Sequence, residues 1–144
     1  MIDQEYTRRK MYNMKFKMLN ISLLKPHEEI KLDRAKQLYA EIKQTNIWTT
    51  PILVDSEFLI VMDGHHRLKV AQLLELNSLP CFVLPYSSID VYKCGTNIPF
   101  SSELIIEKAL NNELFPYKTT RHIVRHPLPN ISIALDALKI FESF

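Results

Sequence analysis

An apolar run gives way to a helical pattern within the stretch Val61-Met62-Asp63-Gly64-His65-His66-Arg67-Leu68. The run from Phe58 to Met62 predicts a strand, and Leu68, Ala71 and Leu74 recur at the spacing of a helix. The polar residues between these two patterns therefore lie where a strand turns into a helix. The first turn of a helix carries unpaired N–H groups and a partial positive charge, so this turn is suited to an anion such as phosphate.

Glycine and charged side chains are concentrated at this turn. Gly64 is one of only 2 glycines in 144 residues, which indicates that the backbone needs a glycine there, either for a positive φ or for the close approach of another group. His65, His66 and Arg67 add donors, and an arginine can bind phosphate or carboxylate with two bonds. Asp63 adds a carboxylate that suits a metal ion or a polar substrate group. A plain turn with surface histidines would also fit, but it does not require this many polar side chains.

The remaining chain mixes short strands and helices, which predicts an α+β fold: a small mixed β-sheet flanked by helices. We expect residues 1–14 to form a flexible N-terminal tail and residues 15–144 to form a single domain. The patterns predict, in chain order, a strand region over Phe16–Leu24, a helix over Leu32–Ile42 that stops at Asn46, a hairpin of Ile52–Val54 and Phe58–Met62, a helix ending near Leu76, strands over Pro80–Leu84 and Ile89–Lys93, a helix capped by Ser101, and a last helix from Ser132 to Phe141.

Composition narrows the class of protein. Apolar residues make up 47% of the chain, enough for a globular core, and the net charge of +2 does not demand a nucleic acid or an anionic membrane as partner. No apolar stretch approaches the ~18 residues of a membrane span, and the polar N-terminus lacks the apolar core of a signal peptide. Cys81 and Cys94 form no CxxC pair, so we expect reduced thiols and a cytoplasmic protein.

Three boxes carry a family resemblance. The stretch Asp63–Arg67 resembles the D-G-x-H-R box of ParB-like proteins. Sulfiredoxins carry a cysteine where this chain has His65, and the Gly-Glu-Arg-Arg type box of chromosome-partitioning ParB proteins is missing. Residues Leu24–Glu29 resemble a Pro-His-Glu segment, and Phe115–His122 resemble a Pro-x-Lys-Thr-Thr-Arg-His segment, both of the free L-serine kinases. The boxes occur in family order, so the sequence is most similar to the free serine kinase branch of the ParB/sulfiredoxin-fold superfamily.

The resemblance implies an activity and a set of site residues. It implies a ParB/sulfiredoxin-like fold and a kinase that uses ATP or ADP with Mg²⁺ to convert free L-serine to O-phospho-L-serine. Glu28 would orient and deprotonate the serine hydroxyl, with Glu29 as the alternative, and Asp63 would contact Mg²⁺ or the reacting phosphate. The nucleotide phosphates would be bound by Gly64, His65, His66 and Arg67. The substrate carboxylate or a phosphate would be bound by Lys118, Thr119, Thr120, Arg121 and His122.

Alternative functions remain open from the sequence. The first is a ParB-like protein that binds nucleotides or nucleic acid, or acts as a nuclease, without amino-acid kinase activity. The weak net charge and the lack of a helix-turn-helix domain count against it. A nucleotide-binding module without this chemistry is a further alternative. Relatives often have a tryptophan where this chain has Tyr92–Thr96, so the identity of the acceptor is open, as are the choice between ATP and ADP and the oligomeric state.

Overall fold

A computed structural model describes residues 14–124 and 128–140. Within these ranges the elements are, in chain order, β1 (Lys15–Asn20), α1 (Leu32–Thr45), β2 (Ile47–Trp48), β3 (Ile52–Asp55), β4 (Val61–Asp63), α2 (His65–Leu73), β5 (Ser78–Leu84), β6 (Asp90–Lys93), α3 (Ser102–Leu110), β7 (Thr120–Ile123), β8 (Ile133–Ala134) and α4 (Leu135–Leu138). None of the helices in these ranges is long and apolar enough to cross a membrane.

The main sheet has four strands in the order β1-β5-β3-β4. Strands β3 and β5 are parallel, while β1 pairs with β5 and β4 pairs with β3 in antiparallel fashion. The predicted hairpin of β3 and β4 is present, with a register shift between Leu53 and Val54. This mixed sheet flanked by helices confirms the predicted α+β fold.

Apolar side chains cover both faces of the main sheet. Along β3, Ile52 and Val54 belong to the cluster that contains Leu68 and Ala71 of α2, whereas Leu53 belongs to the cluster that contains Ile105 of α3. A strand that is buried on both faces is apolar throughout, because successive side chains point to opposite sides. This explains the unbroken apolar run at Ile52–Val54.

Helix ends follow the capping signals in the sequence. Asn46 ends α1 in the left-handed conformation with φ 56°, where asparagine is tolerated better than most residues. Ser101 caps α3, since its hydroxyl accepts a hydrogen bond from the Leu104 N–H at 3.4 Å. Both predicted boundaries are confirmed.

The predicted last helix is wrong in length. Within the described residues it is reduced to α4, and β8 precedes it and pairs with β2, so that Ile133 lies opposite Trp48. The Leu135 N–H donates to the Asn46 carbonyl at 3.0 Å, and the Leu138 carbonyl accepts from Asn77 at 2.8 Å. Backbone groups that a longer helix would use internally are bonded to neighbouring segments instead. Phe141, the predicted end, lies outside the described residues.

The predicted tail falls almost wholly outside the described part of the chain. Only Met14 of residues 1–14 is described, and it packs against the cluster around Ile105. The division into a tail and a single domain stays a prediction.

Candidate functional site

Three segments enclose a cavity of about 510 Å³ at one end of the main sheet. They are residues 28–29, the turn from β4 into α2, and the chain around the start of β7. One side of α1 completes the wall. All the predicted site residues except Thr119 line this cavity. The structure therefore brings together residues that are up to about ninety positions apart in sequence.

Hydrogen bonds from backbone N–H groups to two histidines of α2 hold the first segment against this helix. The His27 N–H donates to Nε2 of His65 at 3.2 Å, and the Lys31 N–H donates to Nε2 of His66 at 3.1 Å. An imidazole nitrogen that accepts a hydrogen bond is unprotonated, so the neutral ring carries its proton on Nδ1. Both histidines were predicted to donate hydrogen bonds to phosphate. The structure gives each Nε2 a backbone partner, which leaves Nδ1 as the nitrogen that could donate to a phosphate.

The Glu28 carboxylate is held by two backbone N–H groups. Its Oε1 accepts the Thr120 N–H at 2.9 Å and also accepts the Thr119 N–H. Burial raises the pKa of Glu28, the two N–H donors oppose this shift, and the nearby Asp63 carboxylate adds to it. Glu29 also lines the cavity, but its side chain is exposed. The two neighbouring carboxylates thus differ clearly in burial and in their partners.

Gly64 is required by the geometry of the turn itself. It is the N-cap of α2 and has φ 111°, a region that residues with a Cβ rarely adopt. A Cβ at this position would lie 3.2 Å from Cγ1 and 3.3 Å from Cγ2 of Ile52, which is buried under the turn. The close approach predicted from the sequence is therefore made, on the inner side, by Ile52. The N-terminal N–H groups of α2 lie at the cavity.

Positive charge surrounds the cavity. Arg67 is half-buried, and burial lowers its pKa, while Asp63 and Glu41 oppose this effect and Arg34 adds to it. On the other side, Arg121 donates from Nη2 to the Thr96 carbonyl at 2.8 Å. Cations from α1, α2 and β7 thus face a common space, where an anion would interact with all of them.

Three histidine rings pack together beneath the cavity. The centroid of the fully buried His27 ring lies 4.6 Å from that of His65 and 5.3 Å from that of His122. Burial lowers the pKa of His27 to about 4 and that of His122 to about 3, and it lowers the pKa of His65 in the same direction. Tyr86 Oη lies 3.1 Å from Nε2 of His122. These rings are neutral at pH 7, so His122, predicted as an anion ligand, would bind an anion without carrying a charge.

The threonines occupy different positions from those predicted. The Thr119 hydroxyl donates to the Pro116 carbonyl at 2.6 Å, and this residue does not line the cavity. The Thr120 hydroxyl lies 3.2 Å from Nε2 of His27 in the protein interior. Both threonines therefore contribute to the site through their backbone N–H groups. This role was not predicted because β7 was not predicted as a strand.

Sequence reasoning missed one wall of the cavity. Arg34, Gln37 and Glu41 of α1 line it, and none of the three was among the predicted site residues. Their spacing puts them on one side of the helix, which was the available signal. A second cavity of about 230 Å³ adjoins the first and shares Glu41 and Arg67 with it. Trp48 lines this second cavity.

A metal ion would find few protein ligands here. Within residues 14–124 and 128–140, no group of three or more His, Cys, Asp or Glu side chains is arranged so that it could hold a metal ion. Asp63 is exposed at the cavity and is close enough to Glu28 to shift the pKa of that carboxyl.

Known proteins share this fold and parts of this sequence. No family model matches the chain. A ParB-like protein of Sulfolobus acidocaldarius is 28% identical over 81 residues, covering 56% of this chain and 40% of that protein. An ATP-dependent L-serine kinase of Desulfurococcus mucosus is 30% identical over 86 residues, covering 57% of this chain and 33% of that protein. The chain thus spans less than half the length of these two relatives.

Solved structures extend the likeness over most of the chain. A free serine kinase in complex with AMP has a TM-score of 0.79 at 15% identity, covering 85% of this chain and 93% of that one. A conserved hypothetical protein from Pyrococcus furiosus has a TM-score of 0.78 at 14% identity, covering 86% and 97%. At these identities the likeness shows a shared fold. The chain is thus similar in sequence to ParB-like proteins and ATP-dependent L-serine kinases over about half its length, and similar in fold to a free serine kinase over most of it.

Proposed function

We propose that the chain is a nucleotide-dependent kinase that phosphorylates free L-serine to O-phospho-L-serine. The observation that carries this proposal is the Glu28 carboxylate, which two backbone N–H groups hold in a cavity that the N-terminus of α2 also lines. Phosphoryl transfer needs an oriented hydroxyl, an acceptor for its proton and positive charge around the moving group. Relatives named as ATP-dependent L-serine kinases, and free serine kinase structures with AMP or ADP, support this choice of substrate and donor.

Glu28 is the proton acceptor in this mechanism. Serine Oγ forms a bond to the terminal phosphorus of the nucleotide, the bond from that phosphorus to the leaving oxygen breaks, and the Oγ proton passes to Glu28. Both N–H groups donate to Oε1, which leaves Oε2 to accept the proton in the proposed step. The pKa of Glu28, raised by burial, makes it a better base than an exposed carboxylate.

The nucleotide binds against α2 and α1. Its phosphates accept hydrogen bonds from the N–H groups of the first turn of α2, which begins after Gly64. They also pair with Arg67 and Arg34. The nucleoside extends along Gln37 and Glu41 toward the second cavity. Ring nitrogens and ribose hydroxyls can hydrogen-bond to these two polar side chains.

The acceptor binds on the opposite side, near β7. Lys118 and Arg121 are exposed cations that line the cavity and suit the carboxylate of a free amino acid. The serine hydroxyl then points at Glu28, between this wall and the phosphates on α2.

Mg²⁺ fits the site as part of a nucleotide complex. Mg²⁺ in kinases is commonly held by one or two carboxylates together with substrate phosphates, so a single exposed Asp63 is a sufficient protein ligand. When bound, the ion would neutralise developing charge on the phosphoryl group.

The ParB-like alternative, binding or cleaving nucleic acid, has less support. Four carboxylates, Glu28, Glu29, Glu41 and Asp63, line the cavity together with four Arg or Lys side chains, so its lining lacks the net positive charge typical of a nucleic-acid site. We also propose a cytoplasmic location for this chain, because Cys81 and Cys94 are both free thiols and disulfides are rare in the cytosol.

Phosphorus NMR tests the proposed activity. Purified protein is incubated with Mg²⁺, either ATP or ADP, and L-serine, with D-serine, L-threonine and L-homoserine as comparison acceptors. We expect O-phospho-L-serine as the product with one of the two nucleotides. Glu28→Gln should reduce kcat by about 10²–10⁴-fold because the side chain keeps its size but cannot take a proton.

Glu29→Gln is the matched control and should keep most of the activity. Nucleotide affinity, measured by calorimetry, should be similar in both variants. Equal losses in the two variants, or no phosphorylated amino acid under any condition, would contradict the proposal.

A further inference from the structure

A buried polar pair lies directly behind the proposed base. The His27 side chain is fully buried and Thr120 is 9% exposed, and Nε2 of His27 lies 3.2 Å from Oγ1 of Thr120. The two residues are 93 positions apart in sequence. This bond therefore ties the segment that carries Glu28 to the first residue of β7.

Thr120 connects this bond to the Glu28 carboxylate. Its N–H donates to Oε1 of Glu28 at 2.9 Å while its hydroxyl is bonded to the neighbouring His27. The Phe115 N–H also donates to the His27 carbonyl at 2.8 Å, so the two segments run side by side. Glu28 thus follows directly after the residue whose imidazole bonds to Thr120, and it accepts the N–H of that same threonine.

Stability alone does not explain this pair. Burying an imidazole and a hydroxyl gains little net free energy, and replacing both partners by apolar groups of the same shape can be nearly neutral. An apolar pair, however, has no directional bond that would fix the orientation of Thr120 and of its N–H. A carboxylate that acts as a base must be held in a fixed orientation, and hydrogen-bond donors in fixed positions provide this.

We infer that His27 and Thr120 are positioning residues that aim the backbone donors at Glu28 and so keep Oε2 turned toward the acceptor hydroxyl. This inference rests on the proposed function for its kinetic consequence, but the aiming of the donors is a property of the free protein. His27 acts only through Thr120 and Glu28 and touches neither reactant.

Matched substitutions at both ends of the bond test the inference. His27→Leu and Thr120→Val remove the bond from either side, whereas His27→Gln and Thr120→Ser can keep it. In two-dimensional NMR of the free protein, we expect the Thr120 amide proton to move upfield in the first two variants, in the direction it takes in Glu28→Gln. It should stay near its wild-type position in Thr120→Ser.

Kinetics provide the second readout. We expect kcat to fall by about 10–100-fold in Thr120→Val, with a KM for the nucleotide within about threefold of wild type, and Thr120→Ser to restore most of the rate. In a Glu28→Gln background, Thr120→Val should cause almost no further loss, because both changes act on the same proton transfer.

Each outcome bears on one proposal. Amide protons of residues 119 and 120 that both keep their wild-type positions in folded Thr120→Val overturn this inference, whatever the activity. Additive kinetic losses in the double variant also overturn it. A moved amide proton in a protein that phosphorylates no amino acid supports the positioning and contradicts only the kinase proposal. If His27→Leu does not fold, the test rests on Thr120→Val, which replaces threonine by a side chain of similar volume.

Discussion

Replacing Gly64 by alanine should destabilise the protein more than the same change at Gly95. Both glycines have positive φ, 111° and 77°, so both variants carry a backbone cost of about 1–2 kcal/mol. At Gly95 no atom lies within 4 Å of the added Cβ. At Gly64 the Cβ would lie 3.2–3.4 Å from three atoms of the buried Ile52 side chain, closer than ordinary carbon contacts.

The contact with Ile52 sets the expected difference between the variants. Forcing extra volume against a packed side chain costs about 1–3 kcal/mol. We therefore expect Gly64→Ala to lose about 2–5 kcal/mol of the free energy of unfolding and Gly95→Ala to lose about 1–2 kcal/mol. Urea denaturation of both variants and of the wild type measures the difference.

Nucleotide binding gives Gly64→Ala a second test. Because the alanine must push against Ile52, the first turn of α2 should shift and the affinity for ADP should fall by about tenfold or more, equivalent to 1.4 kcal/mol. Equal stability losses in Gly64→Ala and Gly95→Ala would refute the packing argument. Unchanged ADP affinity in folded Gly64→Ala, measured by calorimetry, would refute a phosphate site at this turn.

Three further changes test other parts of the structure. The pKa of His27 is about 4 in the folded protein against 6.5 ordinarily, so the unfolded state takes up the proton first as pH falls. Between pH 7 and pH 4, the free energy of unfolding from urea denaturation should therefore fall by about 3 kcal/mol more in wild type than in His27→Gln. Equal losses in the two proteins would contradict a neutral buried ring. Arg121→Ala should weaken binding of O-phospho-L-serine about 10–100-fold by calorimetry while costing under about 1 kcal/mol of stability; the reverse pattern would make the residue structural. Ser101→Ala should lower stability by about 0.5–1 kcal/mol in thermal denaturation because α3 loses its cap, and no change would show that the 3.4 Å bond contributes nothing.

Local signals predicted the elements whose causes are local. The β3–β4 hairpin, the end of α1 at Asn46 and the cap of α3 at Ser101 each depend on residues within a few positions of one another. The turn at Gly64 was predicted for the same reason, because glycine and the helix start are adjacent. In these places the sequence pattern and the structure have the same physical origin.

Elements that depend on distant partners were not predicted. Strand β7 forms against β6, with Thr120 opposite Lys93, and nothing near Thr120 in sequence announces this pairing. The β2–β8 pair replaces the first part of the predicted last helix for the same reason. In the site, the role of the Thr119 and Thr120 N–H groups follows from the position of β7, so sequence reasoning assigned their side chains instead.

The long separation between Glu28 and its donors has a consequence for how the protein is made. The carboxylate receives its two N–H bonds from residues 91 and 92 positions further along the chain. During synthesis from the N-terminus, Glu28 and the turn at Gly64 emerge well before β7. Long-range contacts of this kind form late because the loop between them must first be closed. In the proposed mechanism, a nascent or partly folded chain would therefore lack the two bonds that hold its base, and phosphoryl transfer would begin only when β7 is in place.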